Sequence, residues 1–196
     1  DAIPARITYG DGFETLLPSM FLHGGWMHLV GNMLFLFIFG DNVEDEMGHL
    51  PYLCFYLATG VIAGLIHVLS APYSTVPTVG ASGAIAGVMG GYLLLFPKAR
   101  VDILLILIVI FRIFPIPAWI MLGVWVALQF FGGIGANPDE GGVAYWAHAG
   151  GFIAGVLLTV PLWLRRGGPA FWRRTEGHPP HPEAGYVTSR IPKIRR

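Results

Sequence analysis

Apolar residues in this chain come in long unbroken stretches rather than narrow stripes, and the polar residues gather between them. A bilayer's hydrocarbon core is about 30 Å thick, so a spanning helix needs roughly 17–25 residues. Five stretches approach that length: 26–39 (extended upstream by Met20, Phe21 and Leu22), 51–70, 80–96, 116–131 and 145–164. The pattern predicts five membrane-spanning helices. Residues 101–114 are also apolar, but as a helix they would cover only about 21 Å, too little to cross. Pro97, Pro115 and Pro117 bracket this stretch, and Asp102 and Arg112 mark its ends. It is expected to lie at the interface or double back.

Composition points the same way. Hydrophobic residues make up 54% of the 196 and charged residues 12%, against about 25% charged in soluble domains. Too few charges remain to cover a globular surface, so the expected class is an all-α polytopic membrane protein. The net charge of zero and the lack of a basic, aromatic-interleaved face give no support to a nucleic-acid partner. Cys54, the single cysteine, excludes an internal disulfide and a thiolate metal cluster.

Lys and Arg placement sets the orientation. With residues 1–25 outside, eleven of the twelve basic residues fall on inner segments and Arg6 alone stays out. The acidic group Asp41, Glu44, Asp45 and Glu46 would then be inside without a basic neighbour, but carboxylates count little in this rule. Residues 1–25 read as an outer loop, 26–164 as the transmembrane core, and 165–196, rich in proline and charge, as a flexible inner tail.

Polar positions within the spans need a reason, since ionisable groups in hydrocarbon are costly. Ser82 lies in V-G-A-S-G-A (79–84), between Gly80 and Gly83, where the hydroxyl is unscreened. Gly83, Gly87 and Gly91 recur every four residues, which alone favours close helix packing over catalysis. The two readings are compatible. His148 lies in W-A-H-A-G-G-F (146–152), near the outer end of the last span, either as a structural hydrogen-bonder or as a base for Ser82. His28 and Asn32, four apart, share a helix face. They suit either an interhelical polar clasp or a pair of oxyanion donors. His23 is expected to tie the outer loop to the start of the first span. Tyr73, Ser74, Thr75 and Thr78, ahead of Ser82, suit the wall of a polar cavity.

Three motifs, H-G-G-W-M-H-L-V-G-N (23–32), G-A-S-G (80–83) and A-H-A-G-G (147–151), resemble those of rhomboid intramembrane serine proteases in order and spacing. Residues 44–48, P-K-A-R-V (97–101) and the stretch from Ala118 and Trp119 through Trp125 to Gln129 add to the likeness, which covers about 15–165. The resemblance implies a rhomboid-like helical bundle and a Ser82–His148 dyad, with no cofactor or metal. It implies an oxyanion site of His28, Asn32 and the Ser82 backbone N–H, with His23, Gly80, Gly83 and Gly151 in support. Its substrates would be transmembrane segments of other membrane proteins in the lipid bilayer, and its location a bacterial plasma membrane. Rhomboids carry at least six spans, so a further span is expected before residue 1. Many members also have an aromatic one turn after the nucleophile. Ala86 stands there in this chain, leaving Tyr145 or Trp146 to hold the His148 ring. The alternative is a rhomboid-like protein that binds membrane clients without cutting them. A transporter is disfavoured by the lack of an inverted repeat, and H-E-x-x-H and G-x-G-D protease motifs are absent.

Overall fold

The computed structural model describes residues 13–74, 76–107, 110–137 and 141–180. Thr75, residues 1–12 of the expected outer loop and residues 181–196 of the expected tail lie outside them. After a 3-10 turn at Phe13–Thr15, the elements are α1 (Leu16–Ser19), α2 (Trp26–Met47), α3 (His49–Ser70), α4 (Ser82–Leu95), β1 (Arg100–Leu107), β2 (Ile110–Pro117), α5 (Ala118–Gly135), α6 (Tyr145–Arg165) and α7 (Pro169–Thr175). This is a helical polytopic membrane protein. Among the described residues three helices, α3, α5 and α6, are long and apolar enough to cross a bilayer. The remaining two predicted spans are also helical. α2 has the length but carries polar residues at both ends, and α4 is apolar but only 14 residues long.

α4 sits at the centre. It packs against α2, α3 and α6, and Gly83–Tyr92 are buried without a break. Its glycines make that possible. A Cβ on Gly87 would strike Thr59 of α3, and one on Gly90 would strike the Phe152 carbonyl of α6. From the other side, a Cβ on Gly151 would strike the Gly83 carbonyl, and one on Gly155 the Gly87 carbonyl. Backbone therefore meets backbone along the α4–α6 seam, the arrangement small residues permit between membrane helices. Leu157, Leu158, Val124 and Leu128 on the outer faces of α6 and α5 are exposed, as lipid contact requires.

α4 is short because its approach is extended. Gly80 takes φ +127°, in the region that favours glycine, and its N–H donates to the Ser19 carbonyl at 2.9 Å. The helix then begins at Ser82 itself.

The 101–114 segment doubles back, but as strands: β1 and β2 form an antiparallel hairpin with Asp102 opposite Pro115 and Leu105 opposite Arg112. Its isoleucines and valine suit a pleated ribbon, and a two-stranded ribbon has only edge strands, so Pro115 and Pro117 cost little pairing.

The expected flexible tail is corrected over its first part. Residues 169–175 form α7, whose Phe171 is 2% exposed and packs against Phe96 with ring centroids 6.2 Å apart. Trp172 donates its indole N–H to the Leu94 carbonyl at 2.8 Å. Pro169 opens the helix at a position where its missing N–H is no loss. Prolines and charges there hid two aromatic anchors.

Candidate active site

Ser82 is the first residue of α4, so its hydroxyl stands at a helix N-terminus whose leading N–H groups lack intrahelical acceptors. His148 sits in the first turn of α6. The Gly83–Gly151 approach brings the two helix ends together, and Ser82 Oγ lies 2.8 Å from His148 Nε2.

The support for His148 differs from the sequence expectation. Tyr145 and Trp146 do not hold its ring: they pack over Gly132 and Gly133 of α5, with Trp146 edge-on to Phe130. α5 supplies the contacts instead. Trp125 lies against the imidazole with centroids 5.8 Å apart and planes 31° apart. One turn later, Gln129 Oε1 is 2.9 Å from His148 Nδ1. Trp125 thus takes the place that the residue at Ala86, itself 1% exposed in the core, cannot fill.

His28 and Asn32 line the same cavity as Ser82 and His148, a space of about 1050 Å³. Asn32 is 7% exposed and its Nδ2 has no hydrogen-bond partner among the described residues. His28 Nδ1 accepts the Gly24 N–H at 3.3 Å. That bond leaves the proton on Nε2, the atom that faces Gly80. His23 stands edge-on to His28, centroids 5.2 Å apart. Gly80, Gly83 and Gly151 each hold a close approach in this region.

Of the expected polar wall, Thr78 lines the cavity beside Val76, Pro77 and Val79. Ser74 instead turns inward and accepts the Val76 N–H at 3.3 Å, and Tyr73 is 80% exposed. No cluster of His, Cys, Asp and Glu able to hold a metal occurs among the described residues.

A Rhomboid domain family model matches residues 11–165. The chain belongs to the rhomboid family. It is 31% identical over 150 residues to Rhomboid protein 1, mitochondrial, of Saccharomyces cerevisiae, covering 73% of this chain and 40% of that protein. Identity to RHOMBOID-like protein 4 of Arabidopsis thaliana is 31% over 167 residues, 82% of this chain and 36% of the relative. Identity to Rhomboid protease GluP of Bacillus subtilis is 33% over 174 residues, 86% of this chain and 29% of the relative. This rhomboid chain thus spans less than half the length of each of these relatives.

Trp125 and Gln129 are the site residues whose roles the sequence did not reveal. The available signal was their spacing: an amide and an indole four apart share one face of an otherwise apolar helix.

Proposed function

We propose that this rhomboid is an intramembrane serine endopeptidase that hydrolyses peptide bonds in or near transmembrane segments of other membrane proteins. The observation that carries the proposal is the 2.8 Å separation of Ser82 Oγ and His148 Nε2, within the reach a base needs to activate a hydroxyl. His148 takes the Ser82 proton as the oxygen attacks the scissile carbonyl. The oxyanion receives hydrogen bonds from His28, Asn32 and the Ser82 backbone N–H, each side-chain donor typically worth about 3 kcal/mol of barrier. His148 then protonates the leaving amine, and water resolves the acyl-enzyme with the same base. The cavity beside the dyad supplies the water that the surrounding lipid excludes.

The host membrane in this reading is a bacterial plasma membrane, with the dyad near the outer face and the basic C-terminal segment inside. The relatives include mitochondrial and chloroplastic members and one from Bacillus subtilis, and the charge asymmetry supports the orientation within the membrane.

The test is cleavage of a single-pass reporter substrate in proteoliposomes, with fluorophosphonate labelling alongside. Ser82→Ala is expected to abolish both while leaving thermal unfolding unchanged. Wild-type cleavage by the folded variant overturns the proposal. So does a wild-type protein that neither cleaves nor labels, which would favour a client-binding role.

A further inference from the structure

Two polar atoms of His148 face partners of different kinds, and the second partner has no part in a bare Ser–His dyad. Gln129 is 7% exposed, and a buried carboxamide can be oriented only by its own hydrogen bonds. Its Nε2 donates to the Trp125 carbonyl at 3.2 Å, which turns Oε1 toward His148 Nδ1 at 2.9 Å. An amide oxygen only accepts, so the proton in that bond belongs to the imidazole. With the single ring proton of neutral histidine on Nδ1, Nε2 keeps a lone pair and accepts the Ser82 hydroxyl at 2.8 Å. The chain of bonds has one direction: Ser82 O–H to Nε2, then Nδ1–H to Gln129, then Gln129 N–H to the α5 backbone.

We propose that Gln129 is a positioning residue that fixes His148 in the Nδ1–H tautomer and aims Nε2 at Ser82. It is a neutral counterpart of the carboxylate in a Ser–His–Asp triad. As a base the ring gains a proton at Nε2, and the dipole of the amide oxygen at Nδ1 favours the resulting imidazolium. A neutral amide does this without burying a second charge, which would be costly in a helix bundle in lipid. The proposal rests on His148 acting as the base for Ser82.

Gln129→Met keeps the length of the side chain and removes the acceptor, and Gln129→Glu keeps the acceptor and adds charge. The Met variant is expected to lose about 10²-fold in kcat, within the usual contribution of a positioned base, with KM nearly unchanged. The Glu variant is expected to retain cleavage and move the acid limb of the kcat/KM profile up by about one pH unit, because a nearby anion favours the protonated ring. Nitrogen-15 NMR of ring-labelled histidine, with the His148 signals assigned by difference against His148→Ala, reads the tautomer without any activity. Nδ1–H in the wild type and in Ser82→Ala, lost in Gln129→Met, is the expected result. An Nε2–H ring in the wild-type protein overturns the proposal whether or not the protein is a protease. Full kcat in a folded Gln129→Met variant overturns it as well. A correct tautomer in a protein that never cleaves sustains the positioning role and removes only the proteolytic reading.

Discussion

Gly80→Ala makes the sharpest demand on the site, because it changes a residue without reactive chemistry. A Cβ built there would lie 2.7 Å from His28 Cε1 and 2.8 Å from Nε2, whereas carbon atoms settle at about 3.5–4.0 Å. The ring must retreat by about 1 Å. An oxyanion donor works at about 2.7–3.1 Å from its target, so that retreat removes the His28 contribution almost whole. Asn32 Nδ2, 3.8 Å from the same Cβ, is left in ordinary contact. The loss is one donor, about 3 kcal/mol, or about 10²-fold in kcat at 1.36 kcal/mol per decade. A second cost is independent of His28. The φ of +127° is one that residues with a Cβ rarely adopt, and holding alanine there costs about 1–3 kcal/mol of stability. The assay is a double-mutant cycle with His28→Ala, following cleavage and thermal unfolding in detergent. The activity losses should overlap, with the double variant little slower than His28→Ala alone. The stability loss should persist in both backgrounds. Additive activity losses, or a folded Gly80→Ala variant within threefold of wild type, refute the reasoning.

Gly155→Ala places a Cβ against the Gly87 carbonyl, and overpacking of this kind typically costs about 1–3 kcal/mol. It should lower the unfolding temperature and also cut kcat, since the α4–α6 seam carries both members of the dyad. Cleavage and unfolding measured on the same preparation check both effects. Phe171→Ala removes a fully buried ring from α7 and should destabilise the protein by about 3–5 kcal/mol. Loss of amide exchange protection in α7 and near Phe96 is the readout, and a neutral effect would return residues 169–175 to the status of a loose tail.

The helical core and the Ser82–His148 pair were legible because both leave marks in one dimension. Hydrophobic runs of bilayer length have few other uses, and glycines at four-residue intervals announce a backbone contact before its partner is known. His28 and Asn32 stand out as two polar residues on one face of an apolar segment, a pattern that fits an interhelical clasp as well as a pair of oxyanion donors. Gln129 does not stand out, because its role depends on an atom 19 residues away on another helix. With Ala86 one turn after Ser82, Tyr145 and Trp146 are the rings expected to hold His148. Those rings are instead spent on the notches at Gly132 and Gly133. The hairpin escaped because a brief apolar run has no periodicity that separates strand from helix. α7 escaped because a proline that opens a helix reads, in composition alone, like one that breaks it.

Two different kinds of packing meet at His148, and they govern different properties of the dyad. The distance from Ser82 to the imidazole is set by the α4–α6 seam, where glycines let carbonyl groups touch the facing helix and no side chain can yield. The direction of the imidazole is set by α5, through one indole and one amide. Side-chain contacts of that sort can be broken and remade at a cost of about one hydrogen bond, whereas the seam cannot open without separating the core. Like its neighbours, α5 exposes apolar residues along its outer side, Val124, Leu128 and Phe131 among them. Under the proposed mechanism, losing the α5 contacts alone would leave Ser82 and His148 within reach of each other and take away only the groups that orient the ring. The fold separates holding Ser82 and His148 together from orienting the imidazole, and assigns the second task to α5.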